Sequence, residues 1–397
     1  MSKKRLFLTT APIYLLFYMA DAFLTSYYSL YFVERGMEEQ SQSILLALIP
    51  LSLFLGCFAL SPLAKSRRRA LLLFRVCATI EAGLALGYSF CANFPSLLIL
   101  TFLIAFFNGA PFPFLEGYVA PLAKEADVPY STIRLFGTLG YVVALLFGFF
   151  FLNSFKIANC FYFAFGLFAL AFLLTLFLPR PPKEEEKNEA KLVEKPAKTP
   201  FISRSFIFFL IAQVFLFGAF NSIGYFIPLH LKSLGGSDAD YSLMRFAGVS
   251  AELLCLLLVP FLSKKFQNKK IPLLACALLC TSSTSIVAFL TNSWASGLSF
   301  FILSGIGKAF FFAFDALFLI GIIGQEKLGR ALVVSTGCTN LTSTLLNYAS
   351  IPLYNALSFP VYFGIMAGLE GLGILFLALT PNQKKEPTSE PVGPTAS

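Results

Sequence analysis

Charge is scarce in this chain. Only 13% of its 397 residues are charged, against roughly a quarter in soluble domains. With 57% hydrophobic residues and 48 Phe, it carries more apolar surface than a water-soluble core can hide. Histidine is reduced to His230, and the eight cysteines include no C-x-x-C pair. Most of them fall in apolar runs, where Cys acts as a small hydrophobe, so neither a disulfide framework nor a metal site is expected. There is no Ser-His-Asp set, no metal-spaced His/Cys cluster and no phosphate loop, so enzymatic activity and a cofactor are not expected. Zinc fingers, helix-turn-helix patterns and basic aromatic faces are also missing. The net charge of +9 therefore does not point to a nucleic-acid partner.

What is present is long apolar runs. A membrane-spanning helix needs about 20 predominantly apolar residues. Punctuation by charge clusters, Pro and Asn predicts twelve such segments, near 6–33, 41–64, 70–92, 95–122, 131–153, 155–179, 204–232, 239–263, 271–291, 293–323, 330–355 and 358–380. The fold class is all-α integral membrane, with the lipid bilayer as a partner. M-S-K-K-R followed by an apolar run to about Phe32 is too long for a signal-peptide core and reads as a retained first span. Most of the 30 Lys and Arg fall in alternate connecting segments, leaving only Arg35, Lys156 and Lys232 on the other side. The positive-inside rule then predicts a multi-pass protein of the cell membrane with both termini cytoplasmic.

Residues 180–203 are rich in charge and proline, which marks a cytoplasmic linker, and residues 382–397 read as a disordered tail. The linker separates 1–179 from 204–381, six segments each, and the two parts repeat one another. P-L-A-K-S-R-R-R (62–69) matches P-F-L-S-K-K-F-Q-N-K-K (260–270), and L-Y-F-V-E-R-G (30–36) matches L-H-L-K-S-L-G (229–235). Glu116 corresponds to Asp315. Parallel duplication of a six-helix unit is a recurring transporter plan. The architecture and the basic motif after segments two and eight resemble the Major Facilitator Superfamily, whose halves rock around a central cavity. The Asp and Gly usual in that motif are missing from the first copy.

Ten ionisable residues fall inside spans: Arg75, Arg134, Arg245, Lys308, Asp21, Glu81, Glu116, Glu252, Asp315 and Glu370. Each must be paired, neutralised or wetted, which makes each a functional candidate. Arg75 and Arg245 could instead snorkel to an interface. Glu116 lies about two turns before the short loop joining segments four and five, and Arg134 about one turn after it, so the two match in depth. They are expected to pair, either as a clamp between helices or as a wall of a solute site. Gly137, Gly140 and Gly148 should let a neighbouring helix approach segment five, and Gly109, Pro111 and Pro113 should kink segment four.

F-N-G-A-P-F-P-F-L-E (107–116) followed by I-R-L-F-G-T-L-G-Y (133–141) is similar to the lactose permease group of sugar–proton symporters. That resemblance implies that Glu116 and Arg134 hydrogen-bond substrate and that Tyr141, where lactose permease has Trp, offers a stacking face. Related permeases for nucleosides and aromatic acids share the Arg-x-x-Gly-x-x-Gly run. Asp21 and Asn221 are expected to line the cavity from opposite sides. In the second half, Glu252 and Lys308 lie at comparable depth, and Lys308 and Asp315, seven residues apart, share a helical face about 10 Å apart. These three are the expected proton-coupling groups, with the proton as coupling ion. The resemblance would place an Arg in segment nine and a His in segment ten; this chain has neither. His230, near the outer end of segment seven, is a further candidate. Asn340 and Asn347 are expected to bond helix to helix. The expectation is thus a monomeric, proton-coupled symporter of a small polar organic solute. A sugar is the first choice, with a nucleoside or aromatic acid, or drug efflux by the same fold, as alternatives.

Overall fold

The computed structural model describes residues 3–64, 66–179, 203–266, 268–290, 294–324 and 328–381. Apart from Ser203, the linker expected at 180–203 lies outside them, as does the tail at 382–397. The first six spans are α1 (Lys3–Thr25) continued by α2 (Tyr28–Glu34), α3 (Glu39–Leu60), α4 (Arg67–Phe90), α5 (Phe94–Asn108) continued by α6 (Pro111–Glu125), α7 (Tyr130–Phe151) and α8 (Ala158–Thr175). The second six are α9 (Arg204–Ser233), α10 (Asp238–Lys265), α11 (Lys270–Phe289), α12 (Trp294–Ile323), α13 (Leu328–Ala356) and α14 (Phe359–Leu379).

Local chemistry marks the starts. Ser66, Asn93 and Ser203 each accept a backbone N–H at the first turn of α4, α5 and α9, at 3.3, 3.0 and 3.1 Å. Span four breaks at Gly109–Ala110, and Pro111, which has no N–H to lose, opens α6. Eleven described stretches are long and apolar enough to cross a membrane. The twelfth span, α13, has the length, 29 residues or about 44 Å. It falls short only in composition, because Ser335, Thr336, Thr339, Asn340, Thr342, Ser343, Thr344, Asn347 and Ser350 crowd it.

The neighbours of each span repeat between the halves. α1 packs on α7 and α8, α4 on α8, and α3 on α5; likewise α9 packs on α13 and α14, α11 on α14, and α10 on α12. The halves meet along two seams, α3 on α13 and α7 on α10. Glycine makes the α1–α7 contact tight, because a Cβ on Gly140 would land on the Leu15 carbonyl oxygen.

Candidate functional site

The two membrane faces differ in how the halves meet. We call the face bearing Lys3 the near face and the other the far face. Every described hydrogen bond between the halves lies toward the far face. Ser242 on α10 donates to the Leu145 carbonyl at 2.7 Å and meets the Tyr27 hydroxyl, also at 2.7 Å. Tyr241 donates to the Ser26 carbonyl at 3.1 Å. Gly148 makes room for this knot, since a Cβ there would strike both Tyr27 and Ser242. On the other seam Asn347 donates to the Leu46 carbonyl at 2.9 Å, and Asn355 reaches Glu39. The Leu46 carbonyl is free because its helical partner would be Pro50, which has no N–H.

Below the seal lies a cavity of about 270 Å³ between the halves. Its polar lining includes Asn221, Arg245, Glu252, Lys308 and Asn340, and its rings include Phe220 and Tyr225. The Lys308 ammonium sits 5.0 Å from the centre of the Phe220 ring. Arg245 donates to the Tyr241 hydroxyl at 3.3 Å. Neither cation forms an ion pair among the described residues. Glu252 lies within electrostatic reach of Lys308, Arg134 and Arg245 together.

Toward the near face stands the pair expected from the sequence. Arg134 Nε lies 3.3 Å from Glu116 Oε1, joining α7 to α6, through one nitrogen rather than as a bidentate fork. The Arg134 and Glu116 side chains keep 50% and 34% exposure, whereas Tyr27 and Tyr241 at the seal keep 1% and 2%. The far-face seal is thus buried, whereas the pair toward the near face keeps exposed surface. The pair is not part of the cavity wall itself, but Arg134 links to it electrostatically through Glu252.

Other expected residues fall differently. Asp21 is buried outside the cavity wall, where Asn108 donates to its Oδ1 at 2.7 Å and Tyr141 donates to its Oδ2. Tyr141 therefore spends its hydroxyl on Asp21, and its ring stands edge-on to Tyr18, with centroids 6.2 Å apart. Asp315 shares a helical face with Lys308, but that face closes on α9 two turns along, where Gln213 donates to Asp315 at 2.6 Å. His230 packs flat on Phe359, 17 residues along α9 from Gln213 and so about 25 Å away.

One open alternative is decided and one expectation is corrected. Arg245 does not snorkel; it enters the cavity because α10 turns that face toward α7 and the other half. Asn340 lines the cavity instead of bonding a helix, whereas Asn347 does bond across a seam. Sequence reasoning missed Thr25 and Tyr225 as cavity residues and Gln213 as the partner of Asp315. Nothing local marks any of the three, since each acquires its role from helices far away in the chain.

The family model for the Major Facilitator Superfamily matches residues 10–288 and 233–396. The chain belongs to the Major Facilitator Superfamily. The family and its relatives are transporters rather than enzymes. A 182-residue stretch is 24% identical to the uncharacterized transporter YwbF of Bacillus subtilis (strain 168). That stretch covers 46% of this chain and 45% of YwbF, so the chain matches less than half of that relative's length. A crystal structure of a variant of the nucleoside transporter NupG superposes with a TM-score of 0.78, at 16% identity, over 94% of this chain and 99% of that one. A D-xylose-proton symporter superposes with a TM-score of 0.71, at 17% identity, over 94% and 96%. At such identities the likeness is one of fold.

Proposed function

We propose that this carrier is a proton-coupled symporter of a small polar organic solute, moved by alternating access between the faces. The observation that carries the reading is the cavity between the halves, sealed by hydrogen bonds toward one face and lined by Arg245, Glu252, Lys308 and Asn221. A polar solute can replace the water these groups lose when the cavity closes, at about 1.5–3 kcal/mol per charged hydrogen bond. A lipophilic drug would strand them, which argues against efflux of apolar compounds. At about 270 Å³ the cavity sits at the small end of ligand sites, suited to one sugar ring or a nucleoside rather than a long chain.

A sugar is the first reading. Its hydroxyls suit Glu116 and Arg134 at the near-face mouth and Asn221 in the wall, with Asp21 and Tyr141 bracing the wall from behind. An aromatic acid is the second reading, favoured by two cations without ion-pair partners among the described residues, Lys308 beside Phe220 and Arg245 on Tyr241. Glu252 with Lys308, and Asp315 on Gln213, are the second-half groups assigned to the coupling proton. The carrier acts as a monomer in the cell membrane with both termini cytoplasmic, so that the near face is the cytoplasmic one. A thermal-shift screen of the purified protein against sugars, nucleosides and aromatic acids tests the solute class, because a ligand of the native state raises stability by mass action. A shift with apolar drugs alone refutes the reading.

A further inference from the structure

Three glycines among the described residues line the cavity, and packing accounts for two of them. A Cβ on Gly248 would strike the Phe301 carbonyl, and one on Gly305 would land on the Gly248 carbonyl. There α10 and α12 cross backbone to backbone. Gly224 on α9 is different. A Cβ there would meet no atom within 4 Å, and its φ lies outside the left-handed region. Glycine inside a helix is destabilising relative to alanine, and here neither close packing nor a special backbone angle calls for it. What the missing side chain leaves is open cavity.

A glycine has only backbone to show, so backbone forms the wall at this point. The helical donor to the Gly224 carbonyl would be the N–H of residue 228, and residue 228 is Pro. No side chain among the described residues donates to that carbonyl either. Because α9 runs from the near face to the far face, Gly224 lies one turn beyond Phe220, toward the seal. Ser26, at the break between α1 and α2, lines the same cavity with a buried hydroxyl that has no hydrogen-bond partner. Two polar groups, one from each half, are thus left unclaimed near the contact that Tyr241 makes on the Ser26 carbonyl.

We propose that these two groups form a solute subsite at the far end of the cavity. The Gly224 carbonyl accepts a hydroxyl or amine hydrogen from the solute, and the Ser26 hydroxyl holds a second polar atom of it. The inference rests on the solute-carrier reading above and deepens it by naming what the solute must bring, a hydrogen-bond donor at its deep end. A sugar, or the ribose of a nucleoside, brings one. A plain aromatic acid does not, because its ring has no donor and its carboxylate only accepts. Such a solute would leave the carbonyl dry and unpaired. The same glycine sets a size limit, since any side chain at 224 would fill the space through which the solute reaches the carbonyl.

Calorimetry and melting curves of the full-length protein in nanodiscs test the subsite, with D-xylose, uridine and benzoate as probes. Gly224→Ala should melt at or above the wild-type temperature, because it gains helix propensity and clashes with nothing. It should nevertheless bind xylose or uridine more weakly, and Gly224→Leu should not bind them. Pro228→Ala adds no bulk to the cavity but returns an N–H to the Gly224 carbonyl. It should weaken binding about 2- to 12-fold, as for one net hydrogen bond, and Ser26→Ala should do the same. One arm needs no solute: Gly224→Cys, in a background freed of the eight native cysteines, should react with a water-soluble thiol reagent. Wild-type affinity in both Gly224→Ala and Gly224→Leu, or in Pro228→Ala, overturns the subsite. So does an unreactive Gly224→Cys protein, or a wild type that binds benzoate alone. Failure of the parent reading looks different: Gly224→Cys reacts, yet the wild type binds none of the probes, which removes the solute and the subsite with it.

Discussion

Replacing Asn347 with Leu removes one amide from the α3–α13 seam while keeping its branched shape. The amide donates 2.9 Å to the Leu46 carbonyl, which has no helical partner because Pro50 stands four residues on. In the sealed conformer the substitution leaves that carbonyl buried and unpaired, a cost of about 1–3 kcal/mol. Asn347 Oδ1 is itself unpartnered, and its removal offsets part of this cost. A net of about 1–2 kcal/mol is the reasonable figure. When the far face opens, water reaches Leu46 and the penalty vanishes, so the whole cost falls on the closed state. The closed-to-open ratio should then drop by about 5- to 30-fold. Double electron–electron resonance between spin labels at the far ends of α3 and α13 measures that ratio directly. If the closed distance keeps its wild-type population in a folded Asn347→Leu protein, the bond does not hold the seal and the reasoning fails.

The other seam gives a paired expectation. Tyr27→Phe removes the hydroxyl from Ser242, whose own proton goes to Leu145, and should shift the same ratio by about 2- to 12-fold for one net hydrogen bond. Gly148→Ala, which places a methyl against both Tyr27 and Ser242, should open the far face further than Tyr27→Phe; labels that stay closed would refute the fit. Arg134→Ala should abolish solute binding in calorimetry. Its thermal unfolding should move little, because a half-exposed ion pair is worth at most about 1 kcal/mol. Asp315→Asn, which keeps a partner for Gln213, should uncouple uptake from an imposed pH gradient while solute exchange survives; persistent gradient-driven accumulation would exclude Asp315.

The spans were legible because a bilayer imposes a length and an apolar composition on each one, and the basic clusters punctuate them. The Glu116–Arg134 pair was legible because α6 and α7 are joined by a short loop, so sequence distance stands in for spatial distance. The break in span four was announced by Gly109 and Pro111. The break at Ser26–Tyr27 was not, since neither residue disfavours helix; it exists where the other half docks. Arg245, Asn340 and the Asp21–Asn108 bond resisted for the same reason. Their partners come from helices dozens to hundreds of residues away, and a charge in an apolar run says that a partner exists without saying which.

The polarity of α13 shows how the bilayer rule bends. Nine hydroxyl and amide residues would be expensive on a lipid-facing helix, yet α13 borders the cavity at Asn340 and Ser343 and the seam at Asn347. Several of its hydroxyls return their protons to its own carbonyls a turn back, as Thr339 does to Ser335 and Thr344 to Asn340. Hydroxyls bonded within their own helix can move with α13 along α3 without being stranded, whereas the Asn347–Leu46 bond must break outright. The seam's bonds therefore lie chiefly toward its far end, which, on the proposed alternating-access reading, places the hinge of the motion beside the cavity.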